Sequence, residues 1–471
     1  MSLQEYYAHP AVRAQIRRYC GIEPPRRPGA MFLKGVNPSA PGPGAQWELA
    51  APLPVQRLEE LLSMGADISR SMWDRDNLLV HLDIDYRNSD FAGEPFTHPA
   101  EAFSRLEPLY RVVRRETRRL DLPLLCLMTG RGYHFTGRVP LSAPAVADLA
   151  ALVPGTPPWQ ATVPERAPEW LADRISERHA RAHAGLGLLI EYLAHRLLRR
   201  AGPRTRIPIV FNGTIVGAGI SGRAAISLDF SFLGDPLDVR HIRVAFGGYQ
   251  LHRLRPDIVG PRIAATVPPL VAVPRGPRAG LLPTLRARQP SHAVRLAARG
   301  RIEIPDVTAG VEHLLAAYQD SKLATFHRSF LDRSDWPGDA AALERRLQDT
   351  ELPPCVTWAL ATPNDLLLQP AFIQHVTRAL IAHGWTAAEI AFIVRRRYED
   401  DHGWGNRWTR TDAATRAEFD VRVFAGLTAA GTDDAIDFNC VSAQEKGLCP
   451  GGGCGHNLID LRSRLLTRVS A

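Results

Sequence analysis

The spacing of apolar residues predicts alternating strands and helices through the first half of the chain. The segment 77–86 (NLLVHLDIDY) carries a nearly continuous apolar run and is typical of a buried strand. Residues 101–120 have the periodicity and the length of a helix. The segments 122–129 and 133–139 predict two further strands joined by a tight Gly-Arg-Gly turn. This order of elements is typical of an α+β fold.

A second group of elements follows, and it ends in a long helical region. Residues 181–200 predict a helix, and residues 206–220 and 223–232 predict strands. From about residue 304 onward the pattern is predominantly helical. Between these parts, residues 266–303 are rich in Pro and Arg and show little periodicity, which predicts a linker. We therefore expect an α+β domain over residues 1–265 and a mainly helical domain over residues 304–471.

The composition is that of an ordinary globular protein. The chain has 471 residues, 45% hydrophobic and 23% charged, which is enough for two or three domains. No apolar run approaches the ~20 residues that span a bilayer, and the N-terminus lacks the apolar core of a signal peptide. We expect a cytoplasmic protein with no membrane partner, whose six cysteines do not form a disulfide framework.

Charge is distributed unevenly along the chain. Residues 1–300 carry a net charge of +13, and residues 301–471 carry −5. Between Ile258 and Ile302 there are eight arginines and no acidic residue. A basic half beside an acidic half indicates a surface for a polyanion, and a solvated Arg-rich linker explains the arginine stretch equally well.

An Asp-x-Asp pair in the first predicted strand is the first candidate for chemistry. Asp83 and Asp85 stand at i and i+2, so both carboxylates project from the same face of the strand. Two carboxylates that close repel each other unless a cation lies between them, and Mg²⁺ or Mn²⁺ bridging substrate phosphates is the usual solution. The alternative for an isolated pair is a solvent-facing strand end.

The Gly-Arg-Gly turn is a second candidate. Its open backbone N–H groups and the guanidinium of Arg131 suit a phosphate, and His134 lies two residues into the next strand. A tight hairpin and a structural histidine are the alternatives. A third acid, Asp229, lies on a later predicted strand, with Asp238 as its competitor.

Four cysteines in the C-terminal part form a pattern of their own. Cys355 stands alone after two prolines, and a C-x8-C-x4-C run follows at Cys440, Cys449 and Cys454. Four thiolates suit either zinc or an iron–sulfur cluster, and the spacing alone favours neither. His456 is an alternative ligand.

The acidic and glycine motifs together resemble the catalytic core of the archaeo-eukaryotic primase superfamily. That family carries Asp-x-Asp on one strand, then a [Ser/Thr]-Gly-x-Gly-x-His hairpin, then a third Asp on a later strand. This chain supplies DID at 83–85, TGRGYH at 129–134 and an Asp at 229. The resemblance implies an RRM-like mixed sheet with flanking helices. It also implies two divalent ions, Mg²⁺ or Mn²⁺, on Asp83, Asp85 and Asp229, and a nucleotide triphosphate on Arg131 and His134.

The stretch after the third Asp extends the resemblance to two more residues. In the family a basic segment ends near a Ser-x-His, and the chain has HIRVAFGGYQLH at 241–252. The resemblance therefore implies nucleotide-binding roles for Arg243 and His252, with Gln250 in the place of the family's Ser.

The cysteine pattern resembles the C-terminal domain of the large primase subunit. That resemblance implies a 4Fe–4S cluster on Cys355, Cys440, Cys449 and Cys454, with zinc as the alternative. In the family, a His-x-x-Arg on the helix after the first cysteine binds the triphosphate of the initiating nucleotide. Here His375 and Arg378 supply it, and i and i+3 residues share a helix face. A solvated helix face is the alternative.

A few residues fall outside these motifs. Cys20 has no assigned place, and Cys126 lies in an apolar strand, where a small core residue is expected. Trp385, Trp404 and Trp408 could stack on template bases, and core packing is the alternative.

Together the two resemblances imply one polypeptide that fuses a primase catalytic domain to an iron–sulfur domain. Such a protein would start primers on single-stranded DNA from NTPs or dNTPs and extend them. One alternative is a gap-filling polymerase that does not initiate. The other is a nucleic-acid-binding module with an inactive core.

Overall fold

The computed structural model describes most of the chain. The described residues are 1–23, 28–38, 51–155, 175–218, 222–234, 241–332, 338–361, 370–399, 413–451 and 453–470. Asp238, Trp404 and Trp408 lie outside the described residues. In these ranges, no helix is both long and apolar enough to cross a membrane.

The α+β class expected from the sequence is confirmed. Helices make up 54% and strands 14% of the structure, and the sheet is mixed. The strands are β1 (Leu33–Val36), β2 (Asp67–Ser71), β3 (Asn77–Asn88), β4 (Leu125–Met128), β5 (Gly132–Pro140), β6 (Ile209–Phe211), β7 (Ala224–Asp229), β8 (His241–Arg243), β9 (Gly248–Tyr249), β10 (Leu270–Val271) and β11 (Val273–Pro274).

Helices flank the strands and, among the described residues, make up the regular structure after residue 304. The earlier α-helices are Leu3–Tyr7, Pro10–Tyr19, Leu58–Ser63, Glu94–Thr97, Pro99–Arg119, Pro144–Ala151, Glu177–Ala201, Leu251–Leu254, Pro256–Val259, Pro261–Thr266, Leu281–Ala287 and Pro290–Ala297. The later ones are Thr308–Gln319, Lys322–Leu331, Ala340–Asp349, Pro354–Ala361, Pro370–Ala382, Ala387–Arg396, Ala413–Ala429, Cys440–Glu445 and Leu458–Ser470.

The main sheet has its longest strand at the centre. Its order is β11-β4-β5-β3-β7-β6, and β3 pairs antiparallel with both β5 and β7. Because side chains alternate along a strand, Leu82 and Ile84 face one side of β3 while Asp83 and Asp85 face the other. The sheet therefore has one apolar face and one acidic face at this point.

Helix Pro99–Arg119 covers the apolar face. Tyr133 and Phe135 of β5 lie opposite Ile84 and Leu82 in the register, so they share that face. The ring of Tyr110 on the helix lies 5.0 Å from the ring of Tyr133 and 6.1 Å from that of Phe135, centroid to centroid. This packing leaves the opposite face, with its carboxylates, for the site.

The predicted linker is wrong, because residues 266–303 are folded onto the first half of the chain. β10 pairs with β9, and β11 pairs with β4 at the edge of the main sheet. Arg275 is buried, and its Nη2 donates to Oε2 of Glu107 at 3.1 Å. Strands of two residues are too short to produce a periodic pattern in the sequence. The sequence also does not show that an arginine such as Arg275 is buried in an ion pair, so these arginines were expected at the surface.

The helices after residue 304 pack directly against the first half. The ring centroids of Tyr318 and Tyr192 lie 5.8 Å apart, and His327 Nε2 lies 3.2 Å from Oε1 of buried Glu191. One contiguous set of buried apolar residues extends through both parts. The expected boundary at residue 304 therefore does not separate two independent cores.

Candidate active site and cysteine centre

Three candidate residues form one row across neighbouring strands. In the β3–β5 register Asp83 lies opposite His134, and in the β3–β7 register Asp83 lies opposite Asp229. Residues directly opposite each other in neighbouring strands project from the same face of the sheet. Asp85 lies two residues further along β3 and shares that face. Sheet pairing alone thus gathers His134 and all three predicted carboxylates, and we call this group the carboxylate row.

His134 lies beside Asp83. Its Nε2 is 3.4 Å from Asp83 Oδ1, and the ring of His81 meets the His134 ring edge-on at 5.0 Å. Burial lowers the pKa of His134 to about 4, an effect larger than the opposing influence of the Asp85 carboxylate. His134 is therefore a neutral imidazole at neutral pH.

Asp85 and Arg131 form an ion pair within the site. Burial alone would raise the pKa of Asp85 and lower that of Arg131. The attraction between the two charges, the hydrogen bond that joins them and the neighbouring charges together outweigh burial, so the pKa of Asp85 lies below and that of Arg131 above its ordinary value. Both groups are charged at neutral pH. The predicted phosphate-binding arginine thus lies in direct contact with a predicted metal ligand.

Asp229 is held by its own strand end. The carboxylate is buried, and its Oδ1 accepts hydrogen bonds from the Ser231 backbone N–H at 3.1 Å and from Ser231 Oγ at 2.8 Å. Arg87 Nη2 lies 3.9 Å from the other oxygen. Arg87 is two residues beyond Asp85 on β3, so the period of two could have revealed it.

The oxygen donors of the row suit Mg²⁺ or Mn²⁺. Both ions prefer carboxylate oxygens, and the row offers three carboxylates on one face. Within the described ranges, no three His, Cys, Asp or Glu side chains are already arranged around a single ion position. The residue types and their shared face therefore fit the ions. In this structure the guanidinium of Arg131 balances the negative charge of Asp85.

The glycines of the turn are required by close packing. A Cβ on Gly132 would lie 1.8 Å from the carbonyl oxygen of Ile84, and one on Gly130 would lie 2.2 Å from the ring of Tyr249. Neither space admits a side chain. The turn is therefore pressed against β3 on one side and under the Tyr249 ring on another.

Arg288 supports this turn, and no motif in the sequence predicts this role. Its guanidinium is buried, and Nη1 donates to the carbonyl oxygens of Thr129 at 2.8 Å and Gly130 at 2.9 Å. It also lies 4.7 Å above the ring of Phe103. Burial lowers the pKa of Arg288 to about 10, which leaves it charged at neutral pH. Arg288 belongs to the stretch that had been predicted as linker.

Of the two residues after the third Asp, the structure brings only Arg243 near the turn. Arg243 Nη1 donates to Asp67 Oδ2 at 3.0 Å, and its guanidinium lies 4.4 Å from the ring centroid of Tyr249, the ring that covers Gly130. Its position in the strand β8 places it in a second sheet of order β1-β2-β8.

His252 is a packing residue in this structure. It is fully buried, its Nε2 lies 3.1 Å from the Val267 carbonyl oxygen, and its ring lies 4.8 Å from that of Phe96. Gln250 is equally internal, with its backbone N–H 2.7 Å from Asp67 Oδ2. The expected nucleotide contact of His252 is not supported, because its described contacts are all with packing partners.

The four motif cysteines line one pocket. Its lining includes Cys355, Cys440, Cys449, Cys454 and His456. The predicted gathering of one remote and three clustered cysteines therefore occurs in the fold. Cys20 and Cys126 lie elsewhere, fully buried, as expected of Cys126 as a core residue.

Helix starts face this pocket. Cys355 is the second residue of helix Pro354–Ala361, and the N–H of Leu458, which begins helix Leu458–Ser470, donates to Cys440 Sγ at 3.5 Å. The partial positive charge of a helix start stabilises thiolates. Burial and the other three thiols raise the pKa of Cys355 to about 12, so a bound cation is needed to hold four thiolates together.

This donor set fits zinc and a 4Fe–4S cluster equally well. Both are held by four thiolates, and an N–H bond to a ligand sulfur is compatible with either. The geometry therefore adds the pocket to the sequence pattern and does not choose between the two.

The predicted initiating-nucleotide pair is engaged internally. Arg378 is buried and forms a bidentate ion pair with Asp433 at 2.6 and 2.8 Å, plus a bond to Asp437 Oδ1 at 2.9 Å. His375 Nε2 lies 3.2 Å from Cys355 Sγ. The two residues share a helix, but the structure does not bring them onto one open anion site. Trp385 is likewise buried, under Arg346 at 4.3 Å, so base stacking is not supported there.

The comparisons with known proteins add no family. No family model, no curated protein and no solved structure matches this chain. What stands is the arrangement itself. It consists of acidic oxygens on one sheet face, a guanidinium and a neutral imidazole beside them, and a pocket of four thiols.

Proposed function

We propose that the protein is a DNA-templated nucleotidyltransferase, a primase that extends its own primers on single-stranded DNA. One observation supports this above the others, which is that strand pairing aligns His134, Asp83 and Asp229 on the face that also carries Asp85 and Arg131. Acidic oxygens beside a fixed cation are the groups that phosphoryl transfer from a nucleotide requires. We place the activity in the cytoplasm, as expected from the sequence.

In the proposed reaction a 3′-hydroxyl attacks the α-phosphate of the incoming nucleotide, and pyrophosphate leaves. Mg²⁺ or Mn²⁺ ions held by Asp83, Asp85 and Asp229 would supply activation of the hydroxyl and neutralisation of the leaving oxygens. Arg131 contributes a permanent positive charge for the triphosphate. His134 contributes a neutral ring whose buried Nδ1 has no hydrogen-bond partner among the described residues.

Release of Arg131 from Asp85 is a consequence of this proposal. The guanidinium now balances the Asp85 carboxylate. Ions held by the carboxylates would repel the positive charge of Arg131, and its guanidinium would then be available to the triphosphate. The ion pair therefore keeps the acidic face balanced until nucleotide and ions arrive together.

We further propose that the cysteine pocket holds a 4Fe–4S cluster, with zinc as the alternative, and that this region serves initiation. Support for the initiation role comes from the resemblance alone. Arg378 would have to exchange Asp433 and Asp437 for a phosphate before it could bind an initiating nucleotide.

These internal bonds favour a second candidate, a polymerase that fills gaps and does not initiate. A buried arginine with two carboxylate partners is expensive to release, because it leaves charges buried and unpaired. In this candidate the carboxylate row is unchanged, and the C-terminal region has a structural role only.

One assay separates the candidates. The purified chain is incubated with single-stranded DNA, labelled NTPs or dNTPs and Mg²⁺ or Mn²⁺, once with a preformed primer and once without. Products in both reactions support the primase, and products only with the primer support the gap-filling polymerase. The absence of product in every reaction, with DNA binding intact, would reject both and leave the inactive binding module.

A further inference from the structure

Helix Ala413–Ala429 of the C-terminal region lies against the strand end that carries Asp229. The ring of Phe419 on this helix lies 6.4 Å from the ring of Phe230, the residue next to Asp229. A Cβ on Gly234 would lie 2.4 Å from the Phe419 ring. A helix from one half of the chain therefore packs at the edge of the proposed active site in the other half.

Two hydrogen bonds connect this helix to the same strand end. Asn212 Nδ2 donates to Asp420 Oδ1 at 3.3 Å, and the Phe230 backbone N–H donates to Asn212 Oδ1 at 3.1 Å. Asp420 is fully buried and Asn212 nearly so. Asn212 has a φ of +52°, a conformation that asparagine tolerates better than most residues. The bonds therefore run from Asp420 to the peptide group that directly follows Asp229.

A buried ion pair fixes the same helix in place. Arg422 Nη2 donates to Oε2 of Glu191 at 2.8 Å, and Oε1 of Glu191 lies 3.2 Å from His327 Nε2. Glu191 is fully buried on helix Glu177–Ala201 of the first half. A buried carboxylate with such partners resists separation, because parting them would leave its charge without compensation.

A third contact reaches the start of the strand β7. Glu445, on the helix that begins at Cys440, accepts the Ala218 N–H at 2.7 Å, and its carbonyl oxygen accepts Arg223 Nη1 at 3.3 Å. Arg223 directly precedes β7, whose last residue is Asp229. The C-terminal region thus contacts both ends of the strand that carries the third carboxylate.

We infer that Asp420, acting through Asn212, is a positioning residue for Asp229, and that the C-terminal region braces the active site. The inference rests on the proposed function in treating Asp229 as a metal ligand. It goes beyond that proposal, because it makes the C-terminal region necessary for extending a ready-made primer. A region used only for starting primers would be dispensable for that step.

The physical argument is one of geometry. Phosphoryl transfer requires its carboxylates at fixed positions, and a shift of about 1 Å can cost on the order of 10²-fold in rate. The peptide N–H of Phe230 donates to Asn212 Oδ1, and Asn212 is in turn oriented by the bond that its Nδ2 donates to Asp420. Without Asp420 the Asn212 side chain can turn, and the strand end that carries Asp229 loosens.

The test uses the full chain with its metal centre intact. Asp420→Ala removes the acceptor, and Asp420→Asn keeps an oxygen that can still accept from Asn212. Glu418→Ala is the matched control, since Glu418 lies on the same helix and pairs with Arg395 in the C-terminal region at 2.8 Å. Hydrogen exchange of peptides that contain Phe230, Mn²⁺ binding in the absence of nucleotide, and extension of a preformed primer are measured for each.

For Asp420→Ala we expect exchange at Phe230 to accelerate at least about tenfold. Mn²⁺ affinity and the extension kcat should fall about 10- to 100-fold, with the nucleotide KM nearly unchanged. Asp420→Asn should recover most of each loss, and Glu418→Ala should match the wild type. Wild-type exchange and Mn²⁺ affinity in Asp420→Ala, or equal losses in Glu418→Ala, would overturn the inference.

A second variant covers the case in which Asp420→Ala does not fold. Asn212→Gly keeps the positive φ and removes both side-chain bonds, and it should show the same losses. In the double variant of Asn212→Gly with Asp420→Ala, the losses should not add, because both changes remove the same connection. Additive losses would contradict the connection.

The readouts also separate this inference from the proposed function. Exchange at Phe230 and Mn²⁺ binding do not require polymerase activity. If the wild type makes no product, the proposed function fails while these two measurements still decide the role of Asp420.

Discussion

The carboxylate row and the cysteine pocket are assembled in different ways. In the row, backbone pairing of three neighbouring strands sets the spacing of His134, Asp83 and Asp229. In the pocket, helix starts and loops bring together cysteines that are up to 99 positions apart in the sequence. The sheet holds its functional groups by its own hydrogen bonds, and the pocket gathers thiols whose close approach needs a cation.

This difference suggests different dependence on metal. The row is balanced by Arg131 and Arg87, so it persists as a group without ions. Among the described residues, the thiols contact backbone groups and the His375 ring, and burial together with their mutual proximity raises the pKa of Cys355 to about 12. We therefore expect metal to be required for catalysis at the carboxylate row and for folding at the cysteine pocket.

The largest effect should follow loss of a pocket cysteine. Cys440→Ser should abolish stoichiometric binding of iron or zinc, because a hydroxyl is a poor ligand for either. Hydrogen exchange should accelerate by orders of magnitude in helices Cys440–Glu445 and Leu458–Ser470 and change little in the strand β3.

The control for this change is Cys20→Ala, which alters a buried cysteine outside the pocket. It should retain full metal content and lose at most about 1–2 kcal/mol of stability. If Cys440→Ser accelerated hydrogen exchange equally in β3 and in the two helices, the expected difference in metal dependence between the carboxylate row and the cysteine pocket would be contradicted.

A smaller effect should follow loss of Arg288. Arg288→Met leaves the Thr129 and Gly130 carbonyls without their buried donor, at a cost of about 1–3 kcal/mol for each unsatisfied group. Because Arg131 belongs to this turn, we expect the nucleotide KM to rise about tenfold in primer extension.

Arg286→Met, in the helix that ends just before Arg288, changes an exposed arginine and serves as the control. It should leave both stability and KM at wild-type values. A normal KM in Arg288→Met, in protein that is folded, would show that the turn does not need this support.

The smallest effect concerns acid stability and tests a buried histidine away from both sites. Burial lowers the pKa of His183 to about 3, from an unfolded value near 6.5. Between these pH values the unfolded state binds the proton and the folded state does not. His183 therefore stabilises the fold above about pH 6.5, and that contribution is lost as the pH falls toward 3.

The expected contribution of His183 is about 1.4 kcal/mol per pH unit within this window. Denaturant unfolding at pH 7, 6 and 5 measures it. His183→Phe, which keeps a ring beside Trp73, should flatten the dependence by that amount. His98→Gln, at an exposed position, should not. If unfolding free energy depends on pH as steeply in His183→Phe as in the wild type, His183 is hydrated in the folded protein and its burial does not set the acid stability.

The parts of the site that repeat a local period were predictable from the sequence. The alternation of β3 placed Asp83 and Asp85 on one face, and the strand that ends at Asp229 was identified from its apolar residues. What could not be predicted was set by pairing between distant segments. Arg288 reaches the turn from a stretch without periodicity, and His252 and Arg378 found internal partners far away in the sequence.

The same reason explains the missed contact between the two halves. A surface helix and a docked helix have similar patterns of apolar residues, and Asp420 and Glu418 look alike in the sequence. Only the fold shows that Asp420 meets Asn212 while Glu418 meets Arg395. Polar contacts between residues that are distant in the sequence therefore could not be predicted from the sequence alone.

The central claim is that the carboxylate row transfers nucleotides. Its most direct test is incorporation of one labelled nucleotide at a primer terminus, with Mg²⁺ or Mn²⁺, by the wild type and by Asp83→Ala. Asp257→Ala, at an exposed acid, is the control. We expect the wild type and the control to incorporate label and Asp83→Ala to lose at least about 10³-fold while remaining folded. Equal incorporation by Asp83→Ala and the wild type would contradict the claim.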